Sequence, residues 1–271
     1  MLTIVGAHGF VGSSLIRKIK SQGLEYQILT RELDINPSDN LGTVLYCAGY
    51  GDCSEPQQVI EANLIHLENI FKFKLDRLVY LSSTRLYLNS KNTRENCDLT
   101  ICSDDSRKLF NLSKMAAEEI CFLNKNVETV ILRPSNIYGL ATKSKLFLPS
   151  ITRDAVTKGV INMFVSKEYE KDYVNVSDVV DAMLFYAKRE TEMKFHVVNV
   201  ASGKNTSAQY IADKIHGETG CKVNWNENIS KDVFYPINID KISREMSFHP
   251  KDIKEDIICL VNKFKKQHEK C

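Results

Sequence analysis

The fold is decided by the opening stretch Leu2-Thr3-Ile4-Val5-Gly6-Ala7-His8-Gly9-Phe10-Val11-Gly12. Four residues of an apolar run end at a glycine, as in a strand buried on both faces of a parallel sheet. Beyond the glycines, Ser13 to Ser21 carries Leu15, Ile16 and Ile19 at helical spacing, and Gln22-Gly23 stops that helix. Tyr26 to Thr30 reads as a second strand. The first thirty residues are therefore strand, glycine loop, helix, strand, a βαβ unit. The loop has the spacing GxxGxxG. Residues without Cβ allow an unusual φ and let a ligand approach the backbone, while the following helix offers free N–H groups at its positive end. Gly6, Gly9, Phe10, Val11 and Gly12 are thus expected to hold the pyrophosphate of a dinucleotide. His8 reads as a loop residue.

Outward from this unit, apolar runs continue to alternate with helical patterns. Thr43 to Cys47 reads as a strand, Val59 to Phe71 as a helix, Arg77 to Leu81 as a strand, Leu109 to Leu123 as a helix and Val127 to Leu132 as a strand. Phe195 to Val200 reads as the last strand. Only Arg31 to Gly42 separates the second strand from the third, which leaves hardly any room for a crossover helix. Leu33-Asp34-Ile35 reads as a minimal strand. The expected class is α/β: a Rossmann-like doubly wound parallel sheet with a small interleaved C-terminal substrate lobe. Residues 1–140 form the dinucleotide-binding core, to which a strand near 195–200 returns. Residues 141–271 mainly form the lobe.

Bulk properties narrow the function classes. The chain has 271 residues, 43% hydrophobic and 26% charged, with a formal net charge of +2. That balance argues against a nucleic-acid partner or an anionic membrane surface. The lysines around Lys263, Lys265 and Lys266 read as a solvated helix face. The eight cysteines contain no CxxC and no zinc-type spacing with histidine, so no metal site is expected and the thiols read as reduced. No signal-type N-terminus or spanning apolar run is present. A cytoplasmic protein without a membrane partner is expected.

Cofactor choice rests on the end of the second strand. A carboxylate there would bond the ribose hydroxyls of NAD, whereas an arginine accommodates the 2′-phosphate of NADP. The residues present are Thr30-Arg31, with Glu32 two positions after Thr30. Arg31 favours NADP over NAD, with an exposed loop charge and NAD as the alternative.

Further motifs join the first. They are Tyr46-Cys47-Ala48-Gly49, Leu81-Ser82-Ser83-Thr84-Arg85-Leu86-Tyr87, Asn111-Leu112-Ser113-Lys114, the run from Leu132 to Gly139, that from Lys171 to Val180, and Asn199 to Gly203. With these the chain resembles the extended short-chain dehydrogenase/reductase family, and within it the NAD-dependent epimerase/dehydratases acting on nucleotide sugars. The resemblance covers nearly the whole chain. It implies that Asp34, Ile35, Cys47, Ala48, Gly49, Pro134 and Ser135 join the glycine loop around the cofactor. It makes Lys114 the family lysine, which also contacts the cofactor, and Ser83 the hydroxyl that orients the reacting sugar oxygen. Thr84 is placed against the sugar. Asn136, Lys145 and Lys171 are implied to meet the substrate, Lys171 in place of the family's diphosphate-binding arginine. Lys143, Leu148 and Pro149 are candidates for covering the nucleotide. A homodimer packed through core helices is also implied.

The family's general acid/base is a tyrosine four residues before the lysine, and here that position is Phe110. Loss of such a group costs about 10²–10⁴ in rate. Three explanations are open: an engineered Tyr→Phe change, a natural variant using Thr84, Tyr87 or a water instead, and a cofactor-binding protein without catalysis. The expected function is NADP-dependent oxidation–reduction or epimerisation of a nucleotide-activated sugar, for example keto-reduction at C4. The alternative is a non-catalytic NAD(P)-binding sensor or regulator.

Overall fold

The computed structural model describes residues 1–30, 39–144, 146–189, 194–226 and 232–269. In chain order, its main sheet is assembled from β1 (Leu2–Val5), β2 (Tyr26–Leu29), β3 (Thr43–Tyr46), β4 (Arg77–Leu81) and β5 (Glu128–Pro134), with a late strand at Phe195–Val200. The spatial order is β2-β1-β3-β4-β5 followed by the late strand, and every pairing is parallel. The order reverses at β1, so a crevice opens where β1 and β3 part company at their carboxyl ends.

The register aligns those ends. Val5 pairs with Leu29 and Tyr46, Tyr46 with Tyr80, Leu81 with Leu132, and Pro134 with Val200. The residues that follow each strand therefore gather along one edge.

Two layers of helices cover the sheet. Helix α1 (Phe10–Ser21) buries Leu15 and Ile19, the face set by their four-residue spacing. The opposite face is covered by α2 (Pro56–Ile60) and α3 (His66–Ile70), joined by a π-helical turn at Glu61–Ile65, and by α4 (Lys108–Leu123). The helix expected from Val59 thus starts at Pro56, where proline suits a first helical turn.

The C-terminal half begins with β6 (Asn136–Tyr138), α5 (Phe147–Lys158), β7 (Val160–Met163), β8 (Glu170–Asn175) and α6 (Val176–Lys188). The late strand of the main sheet is β9, after which come β10 (Asn205–Ser207), α7 (Ala208–Thr219), β11 (Lys222–Trp225), α8 (Asp240–Glu245) and α9 (Ile253–His268). Strand β8 lies between β10 and β6 in a small sheet, and β11 pairs with β7. Helices α5, α7 and α9 share a second core containing Leu148, Ile151, Ile211, Ile257 and Phe264. Helix α6 belongs to the main sheet instead, where Val179, Val180 and Met183 join Ile4, Leu15 and Val79. Its apolar residues are too continuous to tell lobe from core by periodicity, and their contacts decide.

Candidate active site

The glycine loop follows β1 directly. Gly6 has φ +78, and a Cβ there would lie 2.6 Å from the Ala48 backbone nitrogen. A Cβ on Gly12 would lie 2.2 Å from the Gly6 carbonyl oxygen. Both positions are closed to side chains because α1 and the segment after β3 press against the loop. Gly9 caps α1 without a side-chain hydrogen bond, and no acidic residue stands in the first turn. The helix's first N–H groups and positive end are left for an anion. A cavity of about 500 Å³ opens there, lined by Gly6, Gly9, Thr30, Cys47, Ala48 and His66 among others. Among the described residues none that lines it is acidic. This cradle fits a dinucleotide, because its backbone can be approached closely and its polarity suits phosphate.

A second cavity of about 330 Å³ shares Gly9, Cys47, Ala48 and Gly49 with the first. Phe10, Val11, Ser83, Thr84, Phe110, Lys114, Pro134, Ser135, Asn136 and Lys171 all line it. Residues far apart in sequence meet here because each follows, or packs beside, the carboxyl end of a strand. Ser83 ends the extended backbone after β4 and accepts the Arg85 N–H at 3.1 Å, which opens a short helical turn at Thr84–Tyr87.

Lys114 is 4% exposed. Its Nζ donates to the Tyr80 hydroxyl at 3.0 Å and to the Leu81 carbonyl at 2.8 Å. Burial lowers its pKa to about 8, with Glu118 acting in the other direction. One helical turn earlier, the Phe110 ring lies 6.0 Å from the Lys114 ammonium. Glu118, one turn later, pairs with Arg133 at 2.5 Å and accepts from Ser82, tying α4 to the ends of β4 and β5.

Lys171 sits on β8 with its ammonium 4.7 Å from the Phe234 ring centroid and 5.0 Å from that of Tyr169. Burial, followed by the charges of Arg85 and Arg107, lowers its pKa to about 8. Asn136 is exposed and donates to the Asp172 carbonyl at 2.8 Å. Asp172 accepts from Ser135 Oγ at 2.5 Å and from the Ser202 N–H at 2.9 Å, so the Ser135 hydroxyl is engaged within the fold.

Several expectations are corrected. Tyr87, considered as a substitute acid, does not line the cavity. Its buried hydroxyl accepts from Arg133 at 2.7 Å and donates to Asn199 at 2.8 Å. Leu148 and Pro149 are buried on α5 rather than placed over the site, and Leu146 lines the cavity instead. Lys143 is exposed and absent from the lining. Arg31, Asp34, Ile35 and Lys145 lie outside the described residues.

Other lining or supporting residues went unforeseen. Asn63, in the π-helical turn, accepts the Tyr50 N–H at 3.1 Å and donates to the Tyr50 carbonyl and to Ser113 Oγ. It thereby fixes the Gly49–Gly51 segment against α4, and π-helical turns often mark such sites. Arg85, Arg107 and Phe234 also line the cavity. Arg85 stands inside a quoted motif, and Arg107 is one helical turn before Phe110. Both signals were present, although only the fold reveals that their charges converge.

The family model of the NAD dependent epimerase/dehydratase family matches residues 2–201. The chain belongs to that family. Among curated relatives, GDP-L-fucose synthase of Sinorhizobium fredii is 23% identical, over 81% of this chain and 80% of its own length. A putative UDP-glucose 4-epimerase of Methanocaldococcus jannaschii is 26% identical, with 97% of each covered. Among solved structures, TunA, a NAD dependent NDP-hexosamine 5,6-dehydratase involved in tunicamycin biosynthesis, superposes with a TM-score of 0.85. It is 18% identical, over 98% of this chain and 97% of that one. The family's doubly wound sheet is the fold found here.

Proposed function

We propose that the chain is an NADP-dependent oxidoreductase or epimerase acting on a nucleotide-activated sugar, at a carbon bearing a hydroxyl or ketone. The observation that carries this reading is the meeting of Ser83 and Lys114 with the uncapped glycine-loop helix in adjoining cavities. The nicotinamide cofactor supplies or accepts hydride when bound. Lys114 holds its ribose, and the ammonium favours negative charge on nearby oxygen. Ser83 orients the substrate oxygen through its hydroxyl. Lys171 and Asn136 receive the diphosphate, Lys171 as a point charge without the forked geometry of arginine.

The relatives' names support a nucleotide sugar as the substrate class. Arg31 in the sequence supports NADP, whereas TunA is named as NAD dependent. Keto-reduction at C4 suits an NADP enzyme. Phe110 is read as the replacement of a family tyrosine, engineered or natural, which lowers turnover without dismantling the site. Thr84, buried and lining the cavity, is the side chain placed to share the proton task. Phe110 is also the observation that favours the second reading, a dinucleotide-binding sensor without catalysis. The proposed homodimer would use α4 and its neighbour at Pro56–Ile70, which expose Leu112, Phe122, Ile60 and Ile65. No helix among the described residues is long and apolar enough to cross a membrane.

Titration with both reduced cofactors tests the binding half of this reading. NADPH is expected to bind more tightly than NADH, and Arg31→Ala to weaken NADPH by about tenfold or more, the loss of a charge-assisted bond. Tighter NADH, insensitive to Arg31→Ala, would overturn the NADP assignment. Binding of neither would overturn the whole reading.

A further inference from the structure

The substrate cavity contains more positive charge than a diphosphate group requires. Its lining includes Arg85, Arg107, Lys114 and Lys171 and, among the described residues, no acidic one. These cations form an ordered series. Lys171 lies over the Phe234 ring as well as that of Tyr169, and Arg85 lies over the Phe234 ring at 5.6 Å. Arg85 then pairs with Asp105 at 2.7 Å, and with Asp232 at 3.5 Å. Asp105 also accepts the Arg107 backbone N–H at 2.8 Å and the Asn111 amide at 2.8 Å. The Arg107 guanidinium turns the other way, 4.8 Å over the face of Phe110. The series therefore runs from Lys171, at the end assigned to the diphosphate, to Arg107, at the end where Phe110 and Lys114 mark the reacting carbon.

Among the described residues, two features of this series lack a partner. Arg85 is 8% exposed, and its Nε is buried without a hydrogen-bond acceptor. Arg107 lines the cavity, and among the described residues no carboxylate pairs with its guanidinium. Its position is held by packing. A Cβ on Gly51 would lie 3.0 Å from Arg107 Nη2 and 3.6 Å from the Phe110 ring, so the glycine leaves the slot that the guanidinium fills. Burial is the larger cost to the Arg107 charge, and the neighbouring charge of Arg85 adds to it. Such an arrangement is unfavourable in the free protein and becomes favourable when an anion enters.

We propose that the sugar of the substrate itself carries an acidic group, a carboxylate as in a hexuronic acid, received by Arg107 with Arg85 behind it. The inference rests on the nucleotide-sugar reading above and adds a specificity-determining residue to it. A carboxylate matches the planar fork of a guanidinium, which a neutral hydroxymethyl group does not. Holding the acid over Phe110 also fixes the sugar ring relative to Lys114 and Ser83.

The test compares matched probes that differ only in the acid: UDP-glucuronate with UDP-glucose, UDP-galacturonate with UDP-galactose, and GDP-mannuronate with GDP-mannose. Each is titrated by calorimetry into the dinucleotide-loaded protein. The native chain is expected to prefer the acid of at least one pair by about tenfold or more. Arg107→Gln should abolish that preference while changing the neutral member less than about twofold, and Arg107→Lys should restore part of it. Equal binding within every pair that binds would overturn the inference and leave the nucleotide-sugar reading standing. Equal weakening of both members by Arg107→Gln would also overturn it, by assigning Arg107 to the diphosphate. Binding of no pair would overturn the nucleotide-sugar reading and this inference together.

Discussion

A phenylalanine and a lysine four positions apart set the chemistry at the residue scale. Phe110 keeps an aromatic ring at the cavity wall, where it carries the Arg107 guanidinium on one face. Lys114 is held by a phenol and a carbonyl, and burial brings its pKa from the ordinary 10.5 to about 8. Between those values the folded protein binds fewer protons than the unfolded chain, so this group favours folding increasingly as pH rises. Its contribution is present above 10.5 and is lost as pH falls through about 8. Dinucleotide binding has the opposite sign, since the ammonium form attracts the cofactor. Affinity is expected to decline above pH 8 in the native chain. Lys114→Met should bind weakly with no such decline, as followed by nicotinamide fluorescence. An unchanged pH profile in the Met variant would remove Lys114 from the cofactor site. The sequence made Ser83 and Lys114 legible because each sits in a contiguous motif. It did not reveal the pairing of Arg85 with Asp105, twenty positions away, on which the direction of Arg107 depends.

Loops at the carboxyl ends of strands do the positioning at the element scale. The glycine loop was readable because its requirement is local: a strand, three small residues and a helix in close succession. The structure gives the reason in distances, with Gly12 packed so closely that a methyl group would meet the Gly6 carbonyl. Gly12→Ala should push α1 away from the loop, destabilise the fold by about 1–3 kcal/mol and abolish dinucleotide binding. Thermal unfolding and cofactor titration check both parts, and full binding by the Ala variant would contradict the assignment of this loop. The π-helical turn at Glu61–Ile65 was not readable. Its residues have ordinary helical spacing, and the extra residue in the turn is set by what Asn63 reaches on Tyr50 and Ser113. The segment from Val176 to Lys188 presents the same difficulty. It lies within the stretch expected to form mainly the lobe, and its packing places it against the main sheet.

At the scale of the whole molecule, the parallel sheet carries a hydrophobic core on each face, and a further core gathers α5, α7 and α9. A buried network joins the parts. Arg133 on β5 binds Glu118 on α4 and Tyr87 after β4, and Tyr87 in turn donates to Asn199 on β9. Asp172 on β8 holds the loop after β9 through Ser202, next to Lys171 in the cavity lining. The fold and the place of the glycine loop thus followed from strand–helix alternation and one motif. The substrate end is assembled from β8, from the start of α4 and from Phe234, which no local pattern links.

Hydride chemistry on a nucleotide sugar, limited by Phe110, is the proposed work of this cavity. Restoring the phenol with Phe110→Tyr tests it most directly, with turnover followed by sugar product and by nicotinamide absorbance across a panel of nucleotide sugars. The tyrosine variant is expected to turn over at least one of them about 10²–10⁴ faster than the Phe110 chain. A tyrosine variant that binds the dinucleotide and converts none of the panel would contradict it and favour the sensor reading.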